Sequence, residues 1–274
     1  MPVVALLTVP MPARQRSITK RGDRLAAPPL MGACHEATRG SPYCGATEWT
    51  KHVFEAVRAV LFDLDGTLIH QTIDFDHMRR AVLAVVARFG LAVEPLAALP
   101  SLEAIARAAA ALERRAPGAG GPLTWEAQRV ITSIELAAAE GADAFDGVPE
   151  ALAALRAAGY RVGIVTRNCR PAVERVLARR PLPCDVLLTR DDVCRVKPDP
   201  EQLLIALRRL GVAGVDALMC GDHAMDVIAG RRVGAATVGI LSDDLPPDRF
   251  ATATPDLVLR SVAELPRRLP RCAP

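Results

Sequence analysis

The sequence predicts an α/β fold: a doubly wound parallel sheet that carries a small all-helical insert. Three observations lead there. A short apolar run from Val57 to Phe62, interrupted only by Arg58, reads as a buried strand and ends in Asp63-Leu64-Asp65-Gly66-Thr67-Leu68. From Gly147 onward, short apolar runs alternate with helix-length segments, the rhythm of βαβ units. Between these regions, residues 73–141 read as helical.

Residues 1–54 look unlike the remainder. Prolines at positions 2, 10, 12, 28, 29 and 42 break any periodicity, and arginines are scattered among small residues. A poorly ordered extension is expected there; a targeting peptide, or a start site set too far upstream, is the alternative. The core domain is expected over 55–72 and 142–265, with the insert over 73–141.

In the insert, Asp74 or Asp76 is placed to cap a helix running to Phe89, with Gly90 as its stop. Ser101 opens a second helix that runs to Ala116, and Pro117 to Pro122 is a break. Thr124 opens a third, with Trp125, Val130, Ile131, Ile134 and Leu136 as its buried set, ending at Gly141. Beyond Gly147, helices are expected over 149–158, 171–180, 200–210 and 224–233, and strands over 160–166, 184–188, 215–220 and 235–240. Asp256 to Leu259 reads as a last strand.

The 274 residues are 50% hydrophobic, enough for one core domain plus an insert. A net charge of +3, from 34 basic and 31 acidic residues, is no footprint for nucleic acid. Seven cysteines at irregular spacings contain no C-x-x-C pair, so Cys34, Cys44 and His35 make a poor zinc set and reduced cytosolic thiols are the default. No apolar run approaches the roughly 20 residues that span a bilayer. Val3 to Val9 is apolar but lacks the preceding basic residue of a signal peptide. A cytoplasmic location without membrane or nucleic-acid partners is expected.

The chemistry-bearing residues fall where strands are expected to end, which is where open α/β sheets bind ligands. Asp63 and Asp65, two apart at a strand end, can face one bound group, and Gly66 permits a tight exit. Two close carboxylates repel unless a cation or shared proton offsets them, and Mg2+ suits hard oxygen ligands; a plain Asx-rich turn is the alternative. Thr166 offers a hydroxyl and adjacent backbone N–H groups to a phosphate oxygen. Lys197 precedes a proline-stiffened turn. Asp222 and Asp226 would share one helix face, or serve as an N-cap and a surface charge.

Phe62-Asp63-Leu64-Asp65-Gly66-Thr67-Leu68 resembles the first motif of the haloacid dehalogenase (HAD) superfamily, most of whose members are Mg2+-dependent phosphatases. Thr166, Lys197 and the Asp222/Asp226 pair follow in the order of that family's other motifs. The resemblance implies a Rossmann-like core with a helical cap in the insert. It implies that Asp63 is the nucleophile and Asp65 the acid–base. Thr166, with Arg167 and Asn168 beside it, and Lys197 would hold phosphate. Asp63, Asp65 (through its backbone carbonyl), Asp222 and Asp226 would hold Mg2+. Charges then balance: three carboxylates, at Asp63, Asp222 and Asp226, against Mg2+ and Lys197.

The implied activity is hydrolysis of a small phosphomonoester through an aspartyl-phosphate, as in phosphoglycolate phosphatase-like members. Two departures stand out. His70 and then Gln71 occupy the place of an acidic residue common in those relatives, and His223 replaces a small hydroxyl residue. Rival readings are a carbon–halogen hydrolase, which would need neither Asp65 nor Mg2+, a phosphosugar mutase, and a non-catalytic binding protein on the same fold. The partner implied is a small phosphorylated metabolite. Its identity and the oligomeric state are not legible.

Overall fold

The computed structural model describes residues 54–70, 72–241 and 247–272. The expected N-terminal extension, up to residue 53, and Gln71 lie outside the described residues. Phe54, at the edge of the expected extension, is buried in the main core.

Six parallel strands form one sheet in the order β3-β2-β1-β4-β5-β6. They are β1 (Ala59–Phe62), β2 (Arg161–Val165), β3 (Val186–Leu188), β4 (Ala217–Gly221), β5 (Ala236–Ile240) and β6 (Leu257–Leu259). The doubly wound sheet expected from the sequence is borne out. Central strands are covered on both faces and therefore read as unbroken apolar runs. Alternate residues divide between the faces. Val60, Phe62, Val162 and Ile164 pack against α4 (Val148–Ala157) and α5 (Arg170–Arg179). Ala59, Leu61, Val165 and Met219 pack against α6 (Glu201–Leu210). Helix α7 (Ala224–Arg232) follows β4. Leu265 and Leu269 join the first of these clusters, so packing continues past residue 265.

β1 lies between β2 and β4, and the chain leaves it in opposite directions to build the two halves. That switch point opens a crevice beyond the strand carboxyl ends. Asp63 follows β1, Thr166 follows β2, and Asp222 follows β4, so backbone topology alone brings them together.

The insert folds around its own core. Helices α1 (Phe75–Arg88), α2 (Ser101–Arg115) and α3 (Gly120–Ala139) bury Met78, Val82, Ile105, Leu112, Leu123 and Ile131 against one another. Asp74 caps α1 by accepting the His77 N–H at 2.8 Å. The insert's two connections touch: Phe145 N–H donates to the Leu68 carbonyl, and His70 N–H to that of Asp143.

Two expectations for α3 need correction. The break before it is shorter than Pro117 to Pro122, because the helix begins at Gly120. Pro122 sits in the first turn, where its missing N–H costs no helical bond, and the Glu113 carboxylate accepts the N–H groups of Gly118 and Gly120. Trp125 is not part of the insert's buried set; it is 62% exposed, with the Arg129 guanidinium 4.6 Å from its ring centre. The inward stripe is Leu123, Ala127, Ile131 and Glu135, spaced by four, and Trp125 falls on the other side.

Candidate active site

Asp63, Asp65, Thr166, Arg167, Asn168, Lys197, Asp222 and Asp226 all line one cavity of about 340 Å³ at the switch point. The structure therefore gathers every candidate residue read from the sequence.

Lys197 is 1% exposed, and its Nζ lies 2.7 Å from Asp63 Oδ1 and 2.7 Å from Asp226 Oδ1. Burial opposes its charge, but the two carboxylates outweigh that and raise its pKa above the ordinary value. Gln202, fully buried, fixes the lysine's loop. Its Oε1 accepts the Lys197 N–H at 3.1 Å, and its Nε2 donates to the carbonyls of Thr166 and Thr189. One amide thus ties the loops after β2 and β3 to the lysine. Nothing in the sequence marked Gln202, since a glutamine in the first turn of a helix reads as solvated.

Replacing Lys197 with Met would leave the buried Asp226 and the partly buried Asp63 without their shared cation. In EDTA at pH 7 the variant is expected to lose about 3 kcal/mol of stability or more by urea denaturation. A loss below about 1 kcal/mol would show that the pair is not held together by the lysine charge.

Asp63, Asp222 and Asp226 offer carboxylate oxygens within 4.8 Å of one another. Burial raises the pKa of all three; Asp226 adds to this at Asp63, Asp63 at Asp222, and Asp222 at Asp226. Three crowded carboxylates face Lys197 and one cation the sequence did not reveal, Arg249, whose Nη2 lies 2.6 Å from Asp222 Oδ2. A hard oxygen donor set with excess negative charge fits a divalent cation such as Mg2+. The side chain of Asp65 lies outside this set.

Backbone closeness makes the cluster. Gly66 has φ +82°, and a Cβ there would stand 2.6 Å from Asp222 Oδ2. At Gly221 a Cβ would stand 2.3 Å from Asp226 Cγ. Asp226 is also held by α7's own cap, because its Oδ2 accepts the His223 N–H at 3.1 Å. The cap residue is His223, not Asp222 as the alternative reading had it: His223 Nδ1 accepts the Met225 N–H at 3.2 Å.

Asp65 is held on the opposite side. Its oxygens accept the Thr166 hydroxyl at 3.3 Å and the Asn168 amide at 3.2 and 3.3 Å. Burial, with the Asp63 charge next, pushes its pKa up to about 7, so this carboxyl can carry a proton near neutrality. Two carboxylates two residues apart therefore have different surroundings: one faces a lysine and a metal-capable cluster, the other an amide and a hydroxyl.

Arg167 turns away from both. Its guanidinium donates to Glu103 Oε2 on α2 and to the Lys197 carbonyl, each at 2.8 Å. A second link between insert and core is the buried pair of Glu135, on α3, and Arg190. Burial raises the Glu135 pKa, and Arg190 counters it. Glu135 also lines the cavity. Sequence reading missed it because an acidic residue on a helix ordinarily faces water.

A family model described as haloacid dehalogenase-like hydrolase matches residues 57–234. Pyrophosphatase PpaX of Bacillus velezensis is 36% identical over 123 residues, covering 44% of this chain and 57% of that protein. Phosphoglycolate phosphatase of Yersinia pseudotuberculosis is 30% identical over 226 residues, covering 77% and 93%. Among solved structures, CbbY from Rhodobacter sphaeroides, in complex with phosphate, aligns with a TM-score of 0.52 at 26% identity, covering 76% and 96%. With the four motifs gathered at the switch point, and the family model and the Yersinia relative each matching most of its length, the chain belongs to the haloacid dehalogenase-like hydrolases, on the phosphatase side of that family.

Proposed function

We propose that this enzyme hydrolyses a small phosphomonoester through a phosphoryl group carried on Asp63, with Mg2+ held by Asp63, Asp222, Asp226 and the backbone carbonyl of Asp65. The observation that carries this reading is the contrast between the two aspartates. Asp63 sits against Lys197 and the acidic cluster, while Asp65 stands apart with its pKa near 7.

Lys197 Nζ, the Thr166 hydroxyl and the Asn168 amide hold the phosphoryl oxygens. An Asp63 oxygen forms a bond to phosphorus as the bond to the leaving oxygen breaks. Asp65 gives its proton to that leaving oxygen. Now a carboxylate, Asp65 takes a proton from water as the water oxygen bonds to phosphorus and the bond to Asp63 breaks. Phosphate leaves with Asp65 protonated again. Mg2+ bound by the acidic cluster would supply positive charge that offsets the negative charge of the phosphoryl group.

The insert, residues 73–141, acts as a cap over the cavity, and residues 55–72 and 142–265 as the catalytic core. The named relatives act on phosphoglycolate or pyrophosphate, which supports a small phosphorylated metabolite as substrate. Carbon–halogen hydrolysis would leave the placement of Asp65 without a purpose. No described helix is long and apolar enough to cross a membrane, and Cys169, Cys184, Cys194 and Cys220 are in no disulfide, in keeping with a cytoplasmic site of action.

With Mg2+ the purified protein is expected to release nitrophenol from p-nitrophenyl phosphate, and EDTA to stop it. Turnover that survives full chelation would contradict the metal assignment.

A further inference from the structure

The cavity extends beyond the phosphoryl group, and its outer wall must receive the leaving group. Ile73, Phe75, Met78, Pro100 and Leu102 make that wall largely apolar. Four cationic side chains also line the cavity: Arg79, Arg167, Lys197 and Arg249. Each already has an anionic partner. Arg79 lies 3.3 Å from Asp76, Lys197 holds Asp63 and Asp226, and Arg249 holds Asp222.

Arg167 follows Thr166 directly at the end of β2, and Glu103 on α2 occupies it at 2.8 Å. The Arg167 side chain is 18% exposed, and its other contacts are the Lys197 carbonyl and Met225 Sδ. The wall's open polar group is His223. Its Nδ1 accepts the Met225 N–H, which puts the ring proton on Nε2 and makes it a donor without formal charge. Among the described residues Nε2 has no hydrogen-bond partner.

A carboxylate or second phosphate on the leaving group that pairs with Arg167 would displace Glu103 and leave the Glu103 charge beside its own. Such like-charge juxtaposition is how a site rejects a competitor that would otherwise fit. An uncharged alcohol meets no such penalty and can accept from His223. We propose that Glu103, by holding Arg167, sets the leaving-group preference: the site takes phosphomonoesters of small uncharged alcohols and turns away those carrying a second anionic group. This rests on the phosphatase reading above and names the substrate class of the same site.

The test compares matched pairs with Mg2+ present: 2-hydroxyethyl phosphate against phosphoglycolate, and glucose 6-phosphate against 6-phosphogluconate. Wild-type kcat/KM is expected to favour the uncharged member of each pair by about tenfold or more. In Glu103→Gln, with Arg167 released, the ratio of anionic to uncharged kcat/KM is expected to rise by about tenfold. Glu103→Asp, which keeps the charge, should retain the wild-type preference. A wild-type preference for the anionic member in both pairs overturns the proposal without the variants, and so does an unchanged ratio in Glu103→Gln. These outcomes leave the phosphatase reading standing. Failure to turn over any of the four esters or p-nitrophenyl phosphate removes both readings together.

Discussion

Asp63→Asn is expected to abolish turnover of every phosphomonoester while leaving the fold intact. The loss should be about 10⁴-fold or more in kcat, the scale seen when a covalent nucleophile is removed. An amide cannot displace an alkoxide from phosphorus, and no other described carboxylate is placed to replace it: Asp222 is held by Arg249, Asp226 by Lys197 and its cap, and Asp65 by Asn168. Stability should move the other way. Burial and the Asp226 charge both disfavour an ionised Asp63, while Lys197 favours it. A neutral amide removes the first two effects, and Lys197 keeps its contact with Asp226 at 2.7 Å. In EDTA the melting temperature should therefore stay near the wild-type value or rise. Retained turnover would move the nucleophile elsewhere, and a fall of many degrees would make the loss of activity uninformative about chemistry.

Asp65→Asn should distinguish between substrates. Asp65 moves protons, so its importance scales with how strongly the leaving group needs one. An alkyl phosphate leaves as a basic alkoxide, and its first step should slow by about 100-fold or more. A p-nitrophenolate is far less basic, and its departure should slow much less. Breakdown of the intermediate also loses its base, so phosphoenzyme should accumulate after a burst of nitrophenol. Equal slowing of the first step for both leaving groups, read in single turnover, would make Asp65 a structural residue.

Much of this site was legible because its residues stand at the ends of strands. Val57 to Phe62 reads as a buried strand, of which Ala59–Phe62 forms one, and the carboxylates after a strand of a parallel sheet emerge in its crevice. The same holds for Thr166 after β2 and Asp222 after β4. Residues whose roles depend on distant partners were not legible. Arg249 lies 27 residues from Asp222, in the short 3₁₀ turn Pro247–Phe250, with no motif around it. Glu135 is buried only because Arg190, 55 residues away, meets it. Trp125 was misplaced because side-chain type outweighed helical phase: the residues two before and two after it, Leu123 and Ala127, face the core. The neighbour of Asp222, His223, turned out to be the cap of α7, which freed the aspartate for the acidic cluster.

The covalent step is the centre of this account, and Asp65→Asn gives the most direct access to it. The variant is mixed with p-nitrophenyl phosphate and Mg2+, quenched in acid during the burst, digested and examined by mass spectrometry. The peptide containing Asp63 is expected to carry the added mass of one phosphoryl group, in proportion to the nitrophenol released, and the double variant Asp63→Asn, Asp65→Asn is expected to carry none. A stoichiometric burst with no phosphoryl group on that peptide, or with the group on another residue, would contradict Asp63 as the nucleophile.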